Sequence, residues 1–303
     1  MSLLLAKAGG WQAQRRRAFV AGLVPALLVL VLITLVPALA LLVASLTPLT
    51  LTDPVGSFRF DAPLANYLHL LDDPRVLASV ATQLSLSTAS VVLQVGVGLG
   101  IALLLHGPSR VLAAARAAFL VPMVLPPIVA ALIWKIMFTP DVSPLHRAAE
   151  ALGMPVHSLI ANPQTALWAI TVADTWQWFP FTMLMVLAAL QMLPEGPLEA
   201  ARLDGAGRWQ LFRFIVLPQL RPVLVVCALF RLIDSFKAFP LIYVLTDGGP
   251  GSVTEVTNYY GFIEAFNFSY WGYASAIAMV VLAGVFALSW LVTRQAWNRN
   301  EHR

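Results

Sequence analysis

The chain is poor in the residues on which several classes of function depend. It contains one cysteine, Cys227, among 303 residues, so no internal disulfide can form, and its apolar surroundings predict a packed core thiol. No GxxxxGK[ST] segment is present, which excludes nucleotide binding by a loop of that type in this chain. His146 and His157 share one predicted loop without other ligating residues, so we expect surface histidines and no metal site.

Charge is also scarce, because only 11% of the residues are charged whereas 59% are hydrophobic. This composition predicts an all-α, polytopic membrane protein. The apolar runs predict six transmembrane helices, at about 19–46, 76–105, 113–138, 165–193, 223–246 and 270–293. The first run is longer than the core of a signal peptide, about 7–15 residues, so we expect it to remain as a span. We predict a single transmembrane domain over residues 1–303, with its core at about 76–295.

Prolines and glycines within the predicted spans indicate how the helices pack. Pro122, Pro126 and Pro127 predict a kink in the third span, which is typical of a helix that lines a pathway. In the second span, Gly96 and Gly100 predict close packing against a neighbouring helix.

The distribution of basic residues predicts the orientation in the membrane. Of the 19 lysines and arginines, 13 fall on the N-terminus, the C-terminus and the two even-numbered loops, and 3 fall on the odd-numbered loops. By the positive-inside rule, both termini and the even-numbered loops lie in the cytoplasm. The odd-numbered loops, at about 47–74, 139–164 and 247–269, are then extracytoplasmic; residues 47–74 show no periodicity, and a short helix is predicted at about 145–152.

One long polar, basic segment, at about 194–222, separates the fourth and fifth spans. Glu199 falls near the N-terminus of a predicted short helix, where the helix dipole favours a carboxylate. Gly205 predicts the end of that helix, because glycine readily adopts the left-handed conformation found there. A second amphipathic helix is predicted from about Gly207 and is expected to end at Pro218. The segment is therefore predicted to be a helix-turn-helix outside the membrane.

This segment resembles the EAA loop of binding-protein-dependent ABC importers. The resemblance is carried by Glu199, Ala200, Ala201, Gly205, Ile215, Leu217 and Pro218, and together with Asp204 these are the predicted ATPase-coupling residues. In that family the short helix docks into a cleft of a cytoplasmic ATPase, where small side chains allow close approach. The alternative interpretation is an amphipathic helix that rests on the membrane interface.

Other segments resemble permeases of the carbohydrate subgroup, specifically the first permease subunit of the maltose and glycerol-phosphate type. They are Asn66-Tyr67, Asp73-Pro74, Asn162-Pro163, 236–239 and 241–250. The resemblance implies a transport subunit, not an enzyme, in the cytoplasmic membrane of a bacterium or archaeon. It moves a carbohydrate, polyol or glycoside from a binding protein into the cytoplasm by alternating access.

The same resemblance implies a set of partners. They are a second permease subunit in a heterodimer, two ABC ATPase subunits that bind ATP and Mg²⁺, an extracytoplasmic binding protein and membrane lipid. No cofactor in this chain and no nucleic-acid partner are expected.

Polar residues inside the predicted spans indicate a substrate path. The spacing of Arg231, Asp234 and Lys237 allows Asp234 to neighbour both cations. Buried charges in a membrane require a partner or water. Aromatic faces and amide or carboxylate groups suit sugar rings and their hydroxyls. The predicted path comprises Asp174, Trp176, Gln177, Arg231, Asp234, Lys237 and Tyr243.

Several alternatives remain at this stage. The charged residues of the fifth span, Arg231, Asp234 and Lys237, can equally form a structural link between helices. Trp178 is better explained by an aromatic belt at the membrane interface. A secondary transporter not coupled to an ATPase would also contain charged spans, but it needs no ATPase-docking loop. A membrane-embedded enzyme would need a nucleophile, a base or metal ligands that converge, and the sequence shows none.

Overall fold

The computed structural model describes residues 2–140, 142–153 and 158–298, which contain helices and no strands. The α-helices are α1 Ser2–Ser45, α2 Ala65–Asp72, α3 Pro74–Leu104, α4 Arg110–Phe119, α5 Val121–Val124, α6 Pro127–Phe138, α7 Pro144–Ala151, α8 Ala166–Gln191, α9 Glu195–Leu203, α10 Arg208–Leu211, α11 Leu217–Ser235, α12 Phe239–Leu245, α13 Thr257–Phe262 and α14 Trp271–Asn298. Two π-helical turns occur, at Phe212–Val216 and Ile263–Asn267. The chain forms two compact units, Met1–Leu70 with Glu264–Met279, and Leu71–Ile263 with Val280–Arg303.

Several of these helices are long and apolar enough to cross a membrane. Within the described part of the chain there are four, at Phe19–Ser45, Pro74–Leu104, Arg208–Ser235 and Trp271–Leu291. Two bent pairs raise the number to six if each pair is counted as one span. They are Arg110–Val124 with Pro127–Phe138, bent by 98°, and Ala166–Gln191 with Glu195–Leu203, bent by 75°.

The first unit is held together by polar contacts near the end of α1. The side chain of Asn66 donates hydrogen bonds to the carbonyls of Ser45 and Thr47, each at 2.9 Å. A Cβ atom on Gly272 would lie 2.0 Å from the carbonyl oxygen of Thr47, so only glycine fits there. Asn66 belongs to α2, a helix that the sequence did not predict within residues 47–74.

The second unit is built around α3, α8 and α11, which pack against one another. Gly98 allows the close approach of α3 to α8, because a Cβ atom there would lie 2.6 Å from the Cβ of Thr182. The predicted packing glycines were Gly96 and Gly100, and that prediction is wrong, since neither has a neighbouring atom within 4 Å of its Cβ position. The buried thiol of Cys227 confirms the predicted core cysteine.

The predicted third span is interrupted by a break, which is sharper than the expected kink. The helix axis turns by 98° between Val124 and Pro127. A proline disfavours helical geometry in the residue before it, and two successive prolines, Pro126 and Pro127, follow Leu125. The carbonyl oxygen of Leu125 accepts a hydrogen bond of 3.1 Å from the side chain of Gln177 on α8.

The predicted fifth span, 223–246, is wrong at its start and misses a break in the helix. Its helix begins before residue 223 and ends at Ser235, and a separate helix, α12, follows from Phe239. Pro240 explains the break, because a proline cannot donate to the carbonyl four residues earlier and its ring clashes with that carbonyl. That carbonyl belongs to Phe236, and it accepts a hydrogen bond of 2.8 Å from the side chain of Asn258.

Two predictions about the loop at about 139–164 are tested by the described residues. A short helix is present at Pro144–Ala151, close to its predicted position. His146 in that helix is buried, so the prediction of a surface histidine is wrong there. The helix that carries His146 is amphipathic and packs against α6. His157 lies outside the described residues.

Candidate functional site: the coupling segment and the polar network

The predicted coupling segment, at about 194–222, begins with α9, which turns away from α8 by 75°. Pro194 precedes its first residue in an extended conformation, and Pro197 lies within its first turn. None of the residues of α9 is buried, and Leu203 at its end is 89% exposed. A helix with no buried face contributes little to the stability of this chain, so its apolar and small residues are available to a partner.

A Schellman motif ends α9. Gly205 adopts a positive φ of +83°, and its N–H donates to the carbonyl of Arg202 at 3.1 Å. The N–H of Ala206 donates to the carbonyl of Ala201 at 2.9 Å. These two bonds satisfy carbonyls that a helix end leaves free, and they require the left-handed conformation that glycine adopts without strain. The predicted helix stop at Gly205 is therefore confirmed.

The second helix of the coupling segment, here called the second arm, begins at Arg208 and differs from its prediction. The helix that starts at Arg208 does not end at Pro218 but continues through a π-helical turn, Phe212–Val216, into α11. The N–H of Leu217 donates to the carbonyl of Phe212, five residues earlier. The wider π turn relieves the clash that the ring of Pro218 would make with the preceding turn, so the helix can pass this proline.

The structure brings four of the eight predicted coupling residues together in one cavity. Ala201, Asp204, Gly205 and Ile215 line a cavity of about 320 Å³ between α9 and the second arm. Glu199 lines a neighbouring cavity of about 900 Å³ together with Arg202 and Arg208. Leu217 and Pro218 are half-buried in the first turn of α11, and Ala200 is exposed on α9.

The predicted substrate-path residues fall into three groups, of which the largest is a polar network between α3, α8 and α11. Arg231 forms an ion pair with Asp234 at 2.7 Å, and Lys237 approaches the same carboxylate at 3.5 Å. The prediction that Asp234 neighbours both cations is thus confirmed. Arg231 and Asp174 are buried, whereas the Lys237 side chain is 75% exposed.

Gln94 of α3 connects this network to α8. Its amide nitrogen donates to the carboxylate of Asp174 at 2.8 Å, and its amide oxygen accepts from Nε of Arg231 at 2.7 Å. The guanidinium of Arg231 also lies 4.4 Å from the ring centre of Trp178, a cation–π contact. Trp178 is half-buried and packs on the network.

Gln177 and Trp176 form the second group, beside the break in the third span. Gln177 is fully buried and donates to the carbonyl of Leu125, which the break has released. Trp176 is half-buried and packs edge to face against Trp134 of α6, with ring centres 5.8 Å apart. Both residues therefore connect α8 to the broken span and do not contact the charged network directly.

Tyr243 lies in a third group, an aromatic cluster formed by Phe239, Tyr243, Tyr259 and Phe262. Its ring stacks on Phe239 at 5.5 Å, and it is about half exposed. The hydroxyl of Tyr259 donates a hydrogen bond to the carboxylate of Asp247. Burial raises the pKa of that hydroxyl, and the hydrogen bond to the carboxylate raises it further.

Sequence reasoning missed the polar face of α3. Its residues are Ser79, Gln83, Ser87, Ser90 and Gln94, and all are buried. They follow one another at intervals of three or four, so they share one face of the helix. A polar stripe of helical spacing in an otherwise apolar span was the available signal, because polar residues in membrane helices usually face the interior of a bundle.

Comparison with known proteins agrees with this arrangement. Residues 94–296 match the family described as "Binding-protein-dependent transport system inner membrane component". The chain is 35% identical to the trehalose/maltose transport system permease protein of Thermococcus litoralis over 76% of this chain and 77% of that protein. It is 33% identical to the sulfoquinovosyl glycerol transport system permease protein of Agrobacterium fabrum, over 89% of this chain and 86% of that protein.

A solved structure has a similar fold. It is the crystal structure of a bacterial alginate ABC transporter in complex with an alginate pentasaccharide-bound periplasmic protein, in which one chain superposes with a TM-score of 0.81 at 17% identity. The superposition covers 93% of this chain and 95% of that chain. The family match extends over two thirds of the sequence and includes the coupling segment and the network. The chain belongs to the family of inner membrane components of binding-protein-dependent transport systems.

Proposed function

We propose that the chain is the membrane-spanning permease subunit of an ATP-driven importer for a carbohydrate or a related polyol or glycoside. An extracytoplasmic binding protein delivers the substrate to this subunit and a second permease subunit. The substrate then reaches the cytoplasm by alternating access. Two separate ATPase subunits hold ATP and Mg²⁺, and no bond chemistry takes place in this chain.

The geometry of α9 carries this proposal. It is a nine-residue helix with no buried residue, and Gly205 fixes its orientation relative to the arm that continues into α11. A short exposed helix with small residues at Ala200 and Ala201 suits insertion into a groove of a partner protein. Because α8 and α11 flank this helix directly, a displacement of α9 by the ATPases would move both spans.

We propose six spans with both termini in the cytoplasm, within one transmembrane domain over residues 1–303. The four single helices and the two bent pairs support this number, with α8 as the spanning part of the second pair and α9 outside the membrane. The excess of lysine and arginine on the termini and the even-numbered loops supports the orientation. The coupling segment then lies in the cytoplasm, on the side where ATP is available.

The names of the relatives support a carbohydrate substrate, since two of them transport trehalose or maltose and sulfoquinovosyl glycerol. The polar network offers both donors and acceptors to hydroxyl groups, and Trp176 offers an aromatic face. We therefore propose that the substrate passes along α8 and α11, near Asp174, Trp176, Gln177, Arg231, Asp234, Lys237 and Tyr243. Membership of the importer family favours this function over a secondary transporter.

Co-purification of the ATPase tests the proposal. The chain is co-expressed with its partner permease and ATPase subunits, and the complex is isolated through a tag on this chain. The wild type is expected to retain the ATPase, whereas Ala200→Trp on the exposed face of α9 is expected to lose it. Ala148→Trp is a matched control, because Ala148 is also exposed on a short helix, α7, on the predicted opposite side of the membrane.

Two results would contradict the proposal. If the wild type never retains an ATPase, the chain is not an importer subunit of this type. If both tryptophan variants retain the ATPase equally, α9 is not the docking element.

A further inference from the structure

Gln94 of α3 joins a charged group of α8 to a charged group of α11. Its side chain is completely buried, and it makes one hydrogen bond to Asp174 on α8 and one to Arg231 on α11. Its nitrogen also lies 3.3 Å from the backbone carbonyl of Asp174. The described ion pairs do not include a direct pair between Asp174 and Arg231, so the amide lies between two opposite charges.

An amide is the group that this position requires. The carboxylate of Asp174 needs a donor and the guanidinium of Arg231 needs an acceptor, and one glutamine supplies both. A glutamate at this position would place a second carboxylate beside Asp174. An asparagine is one methylene shorter, so it cannot keep both contacts without a shift of the helices.

The helices that Gln94 joins are those that lead into the coupling segment. Only the bend at 192–194 separates α8 from α9, and α11 continues from the second arm through the π turn. A hydrogen bond from one buried side chain to each of them fixes their positions along α3. We propose that Gln94 is a positioning residue for transport, which holds α8 and α11 in register so that they move with the coupling helix as one body.

A second glutamine on the same face provides a comparison. Gln83 is also buried, and it donates to the hydroxyl of Ser87 at 3.0 Å and to the carbonyl of Ser235 at 3.3 Å. It therefore links α3 to the end of α11, and neither of these hydrogen bonds involves α8 or a charged side chain. A substitution of Gln83 makes the membrane insertion of α3 less favourable, as the same substitution of Gln94 does. It does not disrupt the link between Asp174 and Arg231.

The inference rests on the proposed function and is tested in the assembled complex of permeases and ATPases in lipid nanodiscs. The rate of ATP hydrolysis per retained ATPase pair is measured without binding protein and without sugar, so the identity of the substrate does not matter. The variants are Gln94→Glu, Gln94→Asn, the exchange variant Gln94→Glu with Asp174→Asn, and Gln83→Glu with and without Asp174→Asn.

We expect Gln94→Glu and Gln94→Asn to raise the hydrolysis rate by about threefold or more while the ATPase is still retained, because the flanking helices no longer restrain α9 together. The exchange variant restores the hydrogen bond between positions 94 and 174 in the reverse direction, with the donor at 174 and the acceptor at 94, so its rate should return to within about twofold of the wild type. Gln83→Glu should keep the wild-type rate, and adding Asp174→Asn should not improve its stability.

The outcomes separate the two proposals. A wild-type complex that retains no ATPase overturns the proposed function and this inference with it. If the wild-type complex assembles but Gln94→Asn hydrolyses ATP at the wild-type rate or more slowly, only the inference fails. A Gln94→Glu defect that Asp174→Asn does not relieve also overturns it. Gln94→Asn keeps the test possible if Gln94→Glu does not insert, because it adds no charge.

Discussion

Arg75 and Glu255 are 180 positions apart in the sequence and form an ion pair with two hydrogen bonds in the second unit. Nε and Nη2 of Arg75 donate to the two carboxylate oxygens at 2.9 and 2.8 Å. The guanidinium also lies 5.0 Å from the ring centre of Tyr260, whose hydroxyl donates to Asp73 at 2.7 Å. This pair joins the start of α3 to the segment before α13, in a region predicted to be extracytoplasmic.

The two partners of this ion pair differ in exposure, which predicts an asymmetry between their substitutions. Glu255 is 3% exposed, whereas the Arg75 side chain is 42% exposed. Arg75→Gln leaves a buried carboxylate with fewer donors and should lower the free energy of unfolding by about 2 kcal/mol. Glu255→Gln leaves an arginine that water can solvate, so it should cost less.

Thermal unfolding of the purified protein in detergent measures both changes. The double variant Arg75→Gln with Glu255→Gln should be more stable than Arg75→Gln alone, because no unpaired charge remains buried. Arg59→Gln serves as a surface control, since the Arg59–Asp61 pair is long, 3.8 Å, and exposed. Equal losses for the two single variants would contradict the asymmetry.

Gly98 provides a prediction about the packing of α3 against α8. Gly98→Ala places a Cβ atom 2.6 Å from the Cβ of Thr182 and 2.9 Å from the carbonyl oxygen of Phe179, so the helices must separate. We expect a loss of stability of about 1–3 kcal/mol, the usual cost of overpacking. Gly96→Ala and Gly100→Ala are the controls and should change the unfolding temperature little, because both positions are open. Similar effects at all three positions would mean that helix propensity, and not packing, decides the outcome.

These glycines show what the sequence can predict about this fold. The regularly spaced glycines indicated close packing of α3, but the positions chosen for it, Gly96 and Gly100, are open, and Gly98 makes the contact. The choice of Gly98 depends on which face of α3 meets α8. That face is marked by the buried polar residues from Ser79 to Gln94, which share a helical stripe with Gly98. Their partners lie on other helices, so the sequence contains the stripe but not the contacts.

The prolines illustrate a second limit of sequence reasoning. Pro126, Pro218 and Pro240 have the same local chemistry, yet two of them break a helix and one does not. At Pro218 a π turn accommodates the ring within a continuous helix. At the two breaks, Gln177 and Asn258 donate to the carbonyls of Leu125 and Phe236. Whether a proline breaks a membrane helix thus depends on a distant donor, which no local pattern reveals.

Gly205 gives a prediction for the coupling segment. Gly205→Val forces a β-branched residue into the left-handed conformation, at a cost of about 1–2 kcal/mol, and disturbs the Schellman motif that orients α9. The variant should still insert into the membrane but should lose ATPase retention or stimulated hydrolysis. Gly207→Val is the matched control, because the φ of Gly207 is −71°, which valine can adopt. Normal uptake by Gly205→Val would show that this turn does not couple the ATPase to transport.

The proposed orientation predicts a pattern of thiol labelling. In a Cys227→Ala background, single cysteines in loops 47–74, 139–164 and 247–269 should react in intact cells with a maleimide that does not cross membranes. A cysteine at Arg208 should react only after the cells are permeabilised, because the coupling segment is then cytoplasmic. Labelling at Arg208 in intact cells, with none in the three loops, would invert the topology.

Asp234→Asn tests whether the polar network contributes to the stability of the fold. Arg231 is buried and forms an ion pair with Asp234, so the variant removes the paired negative charge from a guanidinium that also contacts Gln94 and Trp178. Removing one partner of a buried pair is strongly destabilising, so we expect reduced amounts of folded protein in the membrane. Lys237→Gln is the control and should have little effect, since Lys237 is mostly exposed. Unchanged yield and unfolding temperature in Asp234→Asn would mean that the network does not support the fold.

The substrate path on α8 predicts a difference between Trp176 and Gln177. Trp176 is half-buried and keeps part of its ring accessible beside Trp134, so Trp176→Ala should weaken the apparent affinity for sugar with normal assembly. Gln177→Ala should weaken uptake as well, but it also leaves the carbonyl of Leu125 without its donor. That loss costs about 1–3 kcal/mol, so this variant should be less stable than Trp176→Ala.

Uptake of a panel of neutral and anionic disaccharides, measured with ATP hydrolysis in the same reconstituted complex, separates the two effects. Trp168→Ala is the control for Trp176→Ala, because Trp168 lies in the same helix but is 59% exposed near its N-terminal end. A path along α8 requires that Trp176→Ala changes the apparent affinity for at least one sugar while Trp168→Ala does not. If uptake and hydrolysis keep their wild-type affinity and rate in both Trp176→Ala and Gln177→Ala, the substrate does not contact α8. The binding site then belongs to another part of the complex, and the partner permease becomes the place to search.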